Sequence, residues 1–109
     1  MAGLARELKG HSMYLQPETL DYTRREPYGV VGAIIPWNAP LVLAALKVAP
    51  ALMTGNTMVL KASEEAPLAV LAMSKICADH LPAGVLNTIT GYGAECGAAI
   101  AQPPMIPKI

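Results

Sequence analysis

Two short words hold most of the chemistry this chain can offer: Pro36-Trp37-Asn38-Ala39-Pro40 and Lys61-Ala62-Ser63-Glu64. Each follows an apolar run, Val30 to Ile35 in one case and Met58-Val59-Leu60 in the other. A side-chain amide such as Asn38, at the carboxyl end of a strand, can donate to an oxyanion as it develops in a reaction. An asparagine in a turn can equally bond its own backbone. Lys61 and Glu64 place a cation and a carboxylate at the end of the second run. In nucleotide-binding sheets an acid at that address accepts hydrogen bonds from ribose hydroxyls. A carboxylate there also repels a 2′-phosphate, which favours NAD over NADP. The plainer reading makes Lys61 a solvated strand end, with Ser63 and Glu64 at the positive end of a helix.

Both words need strands that end on one rim. Val30–Ile35 and Thr57–Leu60 read as buried strands, and Val85–Thr90 as a third strand. Helices are expected over 40–53, from Ser63 to about His80, and over 94–101. Pro40 suits a first turn and Gly55 a left-handed cap, whereas Pro50 should kink or shorten its helix. Connections of this length between strands imply parallel pairing with right-handed crossovers. The expected fold class is α/β: a parallel, Rossmann-like, three-layer sheet, about one βαβαβα half. A short helix over 2–9 and an exposed extended or hairpin segment should precede it. We therefore divide the chain into residues 1–26, the helix and extended segment, and residues 27–109, a partial dinucleotide-binding domain. In such sheets ligands bind outside the carboxyl ends of the strands.

Other residues offer less. The Gly-x-Gly-x-x-Gly turn expected after a first strand is absent, since Gly29 and Gly32 lie before and within the strand. Gly91-Tyr92-Gly93 with Gly97 can let backbone approach a cofactor, or it is a tight turn with close helix packing. Cys77, His80, His11 and Cys96 could formally supply four zinc ligands, but their spacing matches no zinc motif, so no metal is expected. Cys96 falls in the first turn of an expected helix, yet no base is placed beside it and Glu95 opposes a thiolate.

Composition narrows the class. The 109 residues are 15% charged and 53% hydrophobic, with a formal net charge of +0. That removes any general electrostatic case for nucleic acid. An apolar chain of this kind needs a partner surface or a sheet covered on both faces. Two cysteines do not make a secreted disulfide scaffold, and no signal peptide opens the chain, so a cytoplasmic location is expected. The uncharged stretch from Pro27 to Leu46 is broken by Pro36, Asn38 and Pro40, which argues against a membrane span.

Taken together, these residues resemble the aldehyde dehydrogenase superfamily. The likeness rests on Pro27-Tyr28-Gly29-Val30-Val31-Gly32, Pro36-Trp37-Asn38-Ala39-Pro40-Leu41, Lys47-Val48-Ala49-Pro50-Ala51-Leu52, Gly55-Asn56-Thr57 and Val59-Leu60-Lys61. It continues through Ser63-Glu64, Pro67-Leu68, Leu81-Pro82-Ala83-Gly84-Val85-Leu86-Asn87 and Gly91-Tyr92-Gly93. The resemblance implies that Asn38 is the oxyanion-binding amide. It implies that Lys61 and Glu64, with Ser63 between them, hold the adenosine ribose of NAD. Ile34, Ile35, Pro36 and Trp37 would line the cofactor cleft, with Gly93 near the adenine end.

Such enzymes oxidise an aldehyde through a cysteine thiohemiacetal, hydride transfer to NAD(P) and hydrolysis of a thioester. They are several times longer than this chain, and neither Cys77 nor Cys96 matches the motif of the catalytic cysteine. The expectation is an NAD-binding fragment, inactive alone, of an enzyme that acts on an aldehyde and forms a homo-oligomer. The alternative is a non-catalytic interaction module, or a remnant, docking on a full-length subunit. The tail also departs from the family, with Pro103-Pro104 and Pro107 where His-Pro and Asp are usual; Pro107 removes a donor from a strand about to begin.

Overall fold

A computed structural model describes residues 2–109. Met1, which precedes the expected first helix, lies outside the described residues. That helix is a 3-10 helix, Ala2–Glu7, and does not run to Lys9. Six residues are too few to offset the cost of nucleating an isolated α-helix. β1 (Ser12–Gln16) and β2 (Thr19–Tyr22) then form an antiparallel hairpin, with Tyr14 opposite Leu20 and Met13 opposite Asp21. Every residue of both strands is exposed, so the hairpin has no face on the core.

The remaining strands are β3 (Val30–Ile34), β4 (Thr57–Ala62) and β5 (Leu86–Thr90). They pair in parallel, in the order β3-β4-β5, as the apolar runs and long connections predict. α1 (Pro40–Met53) crosses from β3 to β4, and α2 (Leu68–Ala78) crosses from β4 to β5. α1 runs through Pro50 without being shortened, and ends at Thr54, with Gly55 beyond it at φ +81°. Buried Asn56 ties this end together. Its Oδ1 accepts the Gly29 N–H at 3.1 Å, and its Nδ2 donates to Ala51 O at 3.2 Å and Thr54 Oγ1 at 2.7 Å.

Side chains alternate across the sheet and so build two different faces. Val31 and Ala33 of β3, with Met58, Leu60 and Ala62 of β4, meet Ala44 and Val48 of α1 and Val70 of α2. Full burial of one such Val or Leu contributes about 1.5–3 kcal/mol. The opposite face carries Gly32, Ile34, Val59 and Lys61. There α3 (Ala98–Ala101) brings Ile100 down onto Gly32, with Ile106 and Ile109 beside it. The layers are therefore helix, sheet, helix. Gly32 N also donates to Lys108 O at 2.9 Å, so the tail lies along the outer edge of β3.

Two helix starts differ from expectation. α2 begins at Leu68, five residues after Ser63, and no side chain caps it. Pro67 explains the delay, because a residue before proline is disfavoured in the helical region. Ser63 instead accepts the Glu65 N–H on Oγ at 3.2 Å, closing a turn. Ser63 and Glu64 thus lie outside the helix whose positive end the sequence assigns them. The third helix is also composite: a π-helical turn, Gly93–Gly97, leads directly into the four residues of α3.

Candidate functional site

The parallel register brings the two chemistry-bearing words side by side. Ile34 at the end of β3 is the partner of Lys61 on β4, and Ile35 N donates to Lys61 O at 2.9 Å. Lys61 in turn is the partner of Ile89 on β5. All three side chains stand on the α3 face. The lysine is only 2% exposed, which rejects the reading of Lys61 as a solvated strand end. Its stem runs beneath Gly97, whose hypothetical Cβ would lie 4.0 Å from Lys61 Cδ and 3.7 Å from Ile34 Cδ1.

A buried ammonium needs partners for its protons. Lys61 Nζ donates to Glu64 Oε2 at 2.9 Å and to Ala62 O at 3.2 Å. The Glu64 carboxylate reaches out to solvent, its side chain 34% exposed. The Lys61 hydrogen bond holds its pKa below the usual carboxylate range, and the backbone amides of Glu64 itself and of Gly93 pull the same way. Gly93 thus lies beside the pair, across the rim from the β4 tip. The unit presents one ionised acceptor at the carboxyl end of the central strand, with the cation buried directly behind it.

The first word sits on the adjoining strand end. Pro36, Trp37 and Asn38 are exposed, Trp37 at 66%. Ile35 is 1% exposed and packs in the core, so only its backbone faces the rim. Ile34 is partly exposed and faces the rim with its side chain. Asn38 does not cap α1; no side chain does. Ala39 occupies that cap in the left-handed region, φ 53° and ψ 48°. Pro40 disfavours the right-handed helical conformation there, and an alanine in the left-handed region costs about 1–2 kcal/mol. Sequence reading passed over Ala39; the signal was a non-glycine residue squeezed between an asparagine and a helix-starting proline.

The glycine turn resolves toward close packing. Gly91 lets Cys96 Sγ come against its Cα, and the Cys96 thiol points at Thr90 O, 3.9 Å away. Cys77 and Cys96 are both free thiols. Among the described residues, no three His, Cys, Asp or Glu side chains converge as a metal site. Two clefts lie elsewhere. One, of about 440 Å³, is lined by Leu8, Arg25, Tyr28, Met53 and Asn56 at the amino ends of the strands. The other lies between α1 and β3 and is lined by Val31, Lys47, Met58 and Ile109. Neither touches Lys61 or Glu64.

A parallel sheet with helices on both faces and polar groups at its carboxyl rim belongs to the open α/β class, in which ligands bind outside the carboxyl ends of the strands. Residues 1–109 match the aldehyde dehydrogenase family over their whole length, and the chain belongs to that family. It is 47% identical over 108 residues to a long-chain-aldehyde dehydrogenase of an Acinetobacter species, covering 99% of this chain and 22% of that protein. It is 45% identical to a fluoroacetaldehyde dehydrogenase of Streptantibioticus cattleyicolor, with 99% and 21% covered. Among solved structures, the NAD+ complex of an aldehyde dehydrogenase from Bacillus cereus superposes with a TM-score of 0.92 at 44% identity, covering 96% of this chain and 22% of that one. The chain thus spans about a fifth of the length of the relatives it matches.

Proposed function

We propose that these residues form the cofactor rim of an NAD-dependent aldehyde dehydrogenase. The observation that carries this is the Lys61–Glu64 pair. A donor and an ionised acceptor 2.9 Å apart match the two neighbouring hydroxyls of a ribose, one accepting from Lys61 and one donating to Glu64. In this reading Ser63 shapes the turn that carries Glu64. Ile34, the Ile35 backbone, Pro36 and Trp37 line the cleft, and Gly93 lies at the adenine end. The exposed Asn38 amide is the oxyanion donor. NAD, when bound, supplies the hydride acceptor for an aldehyde oxidised to a carboxylic acid. Cys77, on α2, and Cys96, whose thiol points at Thr90 O, are not its nucleophile, so these residues alone do not turn over aldehyde. The exposed hairpin favours assembly into a homo-oligomer, and the free thiols suit a cytoplasmic protein. Which aldehyde is oxidised lies outside this rim: relatives of nearly equal identity are named for long-chain aldehydes and for fluoroacetaldehyde.

The test is a chimaera in which residues 1–109 replace the matching segment of the Acinetobacter relative. It should bind NAD in preference to NADP. Glu64→Gln should narrow that preference, and Lys61→Ala should weaken both cofactors, on the order of tenfold or more. Equal binding of the two cofactors, unchanged by Glu64→Gln, would overturn the assignment.

A further inference from the structure

Lys61 reaches the rim through a slot. Ile34 of β3 and Ile89 of β5 flank it at the same register level on the α3 face, and the turn Gly93–Gly97 roofs it. The roof is in contact at Gly97, which is buried and would stand 4.0 Å from Lys61 Cδ and 3.7 Å from Ile34 Cδ1 with a Cβ added. One methyl group therefore fits at ordinary van der Waals distance, with the Lys61 stem and Ile34 already in contact with it. Four methylenes held in an apolar slot have few rotamers left, so the ammonium emerges at one place, on Glu64 Oε2 and Ala62 O.

We propose that Gly97 is a positioning residue of the cofactor rim: by bearing no side chain it keeps the slot one lysine stem wide and so sets where the Lys61 ammonium meets Glu64. Its importance for cofactor binding rests on the function proposed above; the positioning itself does not. A branched residue at 97 pushes the stem aside and separates the ion pair, while the fold, set mainly on the other sheet face, persists. The side chain of Gly97→Val would enter space now held by Lys61 and Ile34.

The experiment reads the Glu64 carboxyl titration by NMR in the 109-residue chain, with Glu65 and Glu95 resolved separately as nearby acids. In the parent the Glu64 titration should lie below the ordinary carboxylate range. Lys61→Met, which keeps a stem and removes the charge, should raise it toward the ordinary carboxylate range. Gly97→Ala should leave it in place, and Gly97→Val should move it upward as Lys61→Met does. If Gly97→Val fails to fold, Ile34→Ala opens the same slot from β3 and should also raise the Glu64 titration. Val48→Ala, which loosens the core on the opposite sheet face, should destabilise the chain and leave Glu64 unmoved. A folded Gly97→Val with the parental Glu64 titration, or a Glu64 shift as large in Val48→Ala, would overturn the proposal. NAD binding to the chimaera is scored separately. Its loss in the parent sinks the cofactor reading without touching the slot, whereas an intact Glu64 titration in Gly97→Val sinks the slot without touching the cofactor reading.

Discussion

Lys61 illustrates how a charged side chain is kept inside a fold. Its stem replaces an apolar residue on the sheet, and its head is satisfied by one carboxylate and one carbonyl. Lys61→Ala removes the stem as well as the charge. It should cost on the order of 2–5 kcal/mol in urea unfolding, the range for truncating a long buried side chain. Lys61→Met should cost distinctly less, because the volume is kept. The carboxylate adds a pH dependence whose sign follows from its lowered folded pKa. Protons bind the unfolded chain more readily than the folded one at this site, so stability rises with pH across the window. The contribution is fully present above the ordinary glutamate value of about 4.3 and is lost as pH falls through the lowered folded value. Glu64→Gln should flatten that part of an acid unfolding curve and leave the neutral end little changed. An acid limb identical in parent and Glu64→Gln would remove the ion pair as a stabilising contact.

At the level of elements, the junction of β3 with α3 is the most constrained. A Cβ on Gly32 would stand 2.5 Å from Ile100 Cγ2, 3.3 Å from Ile106 Cγ2 and 3.4 Å from Ile109 Cγ1. Gly32→Ala should therefore destabilise by about 1–3 kcal/mol, the usual penalty for overpacking. Ile100→Ala creates room at the same point. In the double variant the two costs should be less than additive, with a coupling of about 0.5–3 kcal/mol in a double-mutant cycle. Strict additivity would show that α3 is free to slide away from the sheet. By its place within β3, Gly32 is in the wrong position for a phosphate turn. Its role is visible only when residues almost seventy positions later pack over it, a close approach for which the sequence has no local sign. Ser63 and Pro67 make the complementary case. Serine before two acids is a good local cap, but Pro67 overrides it, and the chain between them is left to turn Glu64 back onto Lys61.

The whole molecule is extended for its length. Its radius of gyration is 17.0 Å, against about 13 Å for a compact chain of 100 residues. The hairpin exposes Met13, Tyr14, Leu15, Leu20 and Tyr22, with Tyr14 at 81%. α1 exposes Leu41, Val42 and Leu46 on the side away from the sheet, and β5 leaves one sheet edge unpaired. Exposed apolar patches and open edges drive association, and a net charge of +0 provides no repulsion against it. Light scattering should show concentration-dependent association of the 109-residue chain. Tyr14→Lys with Leu20→Lys, which charges one opposed pair of the hairpin, should reduce it while leaving the far-UV spectrum of the sheet intact. A monodisperse monomer with cooperative unfolding would show that the apolar surface is tolerated as it stands.

The sequence by itself determined the order of elements, the parallel sheet and the rim on which the polar groups fall. Those features follow from local patterns: continuous apolar runs, helix-starting Pro40, left-handed Gly55 and connections too long for hairpins. The identity of the family was equally legible, because the motifs from Pro27 to Gly93 recur as words in a fixed order. Only the tertiary structure decided that Lys61 is buried and not solvated, that α2 starts at Leu68, and that Gly32 and Gly97 are contact points between layers. The reason is physical. Burial and the width of a slot depend on what packs across the sheet from residues 30 to 70 positions away, and periodicity along the chain holds no record of those partners; the start of α2 was a contest between two local signals, Ser63 and Pro67, that the folded chain decided for Pro67.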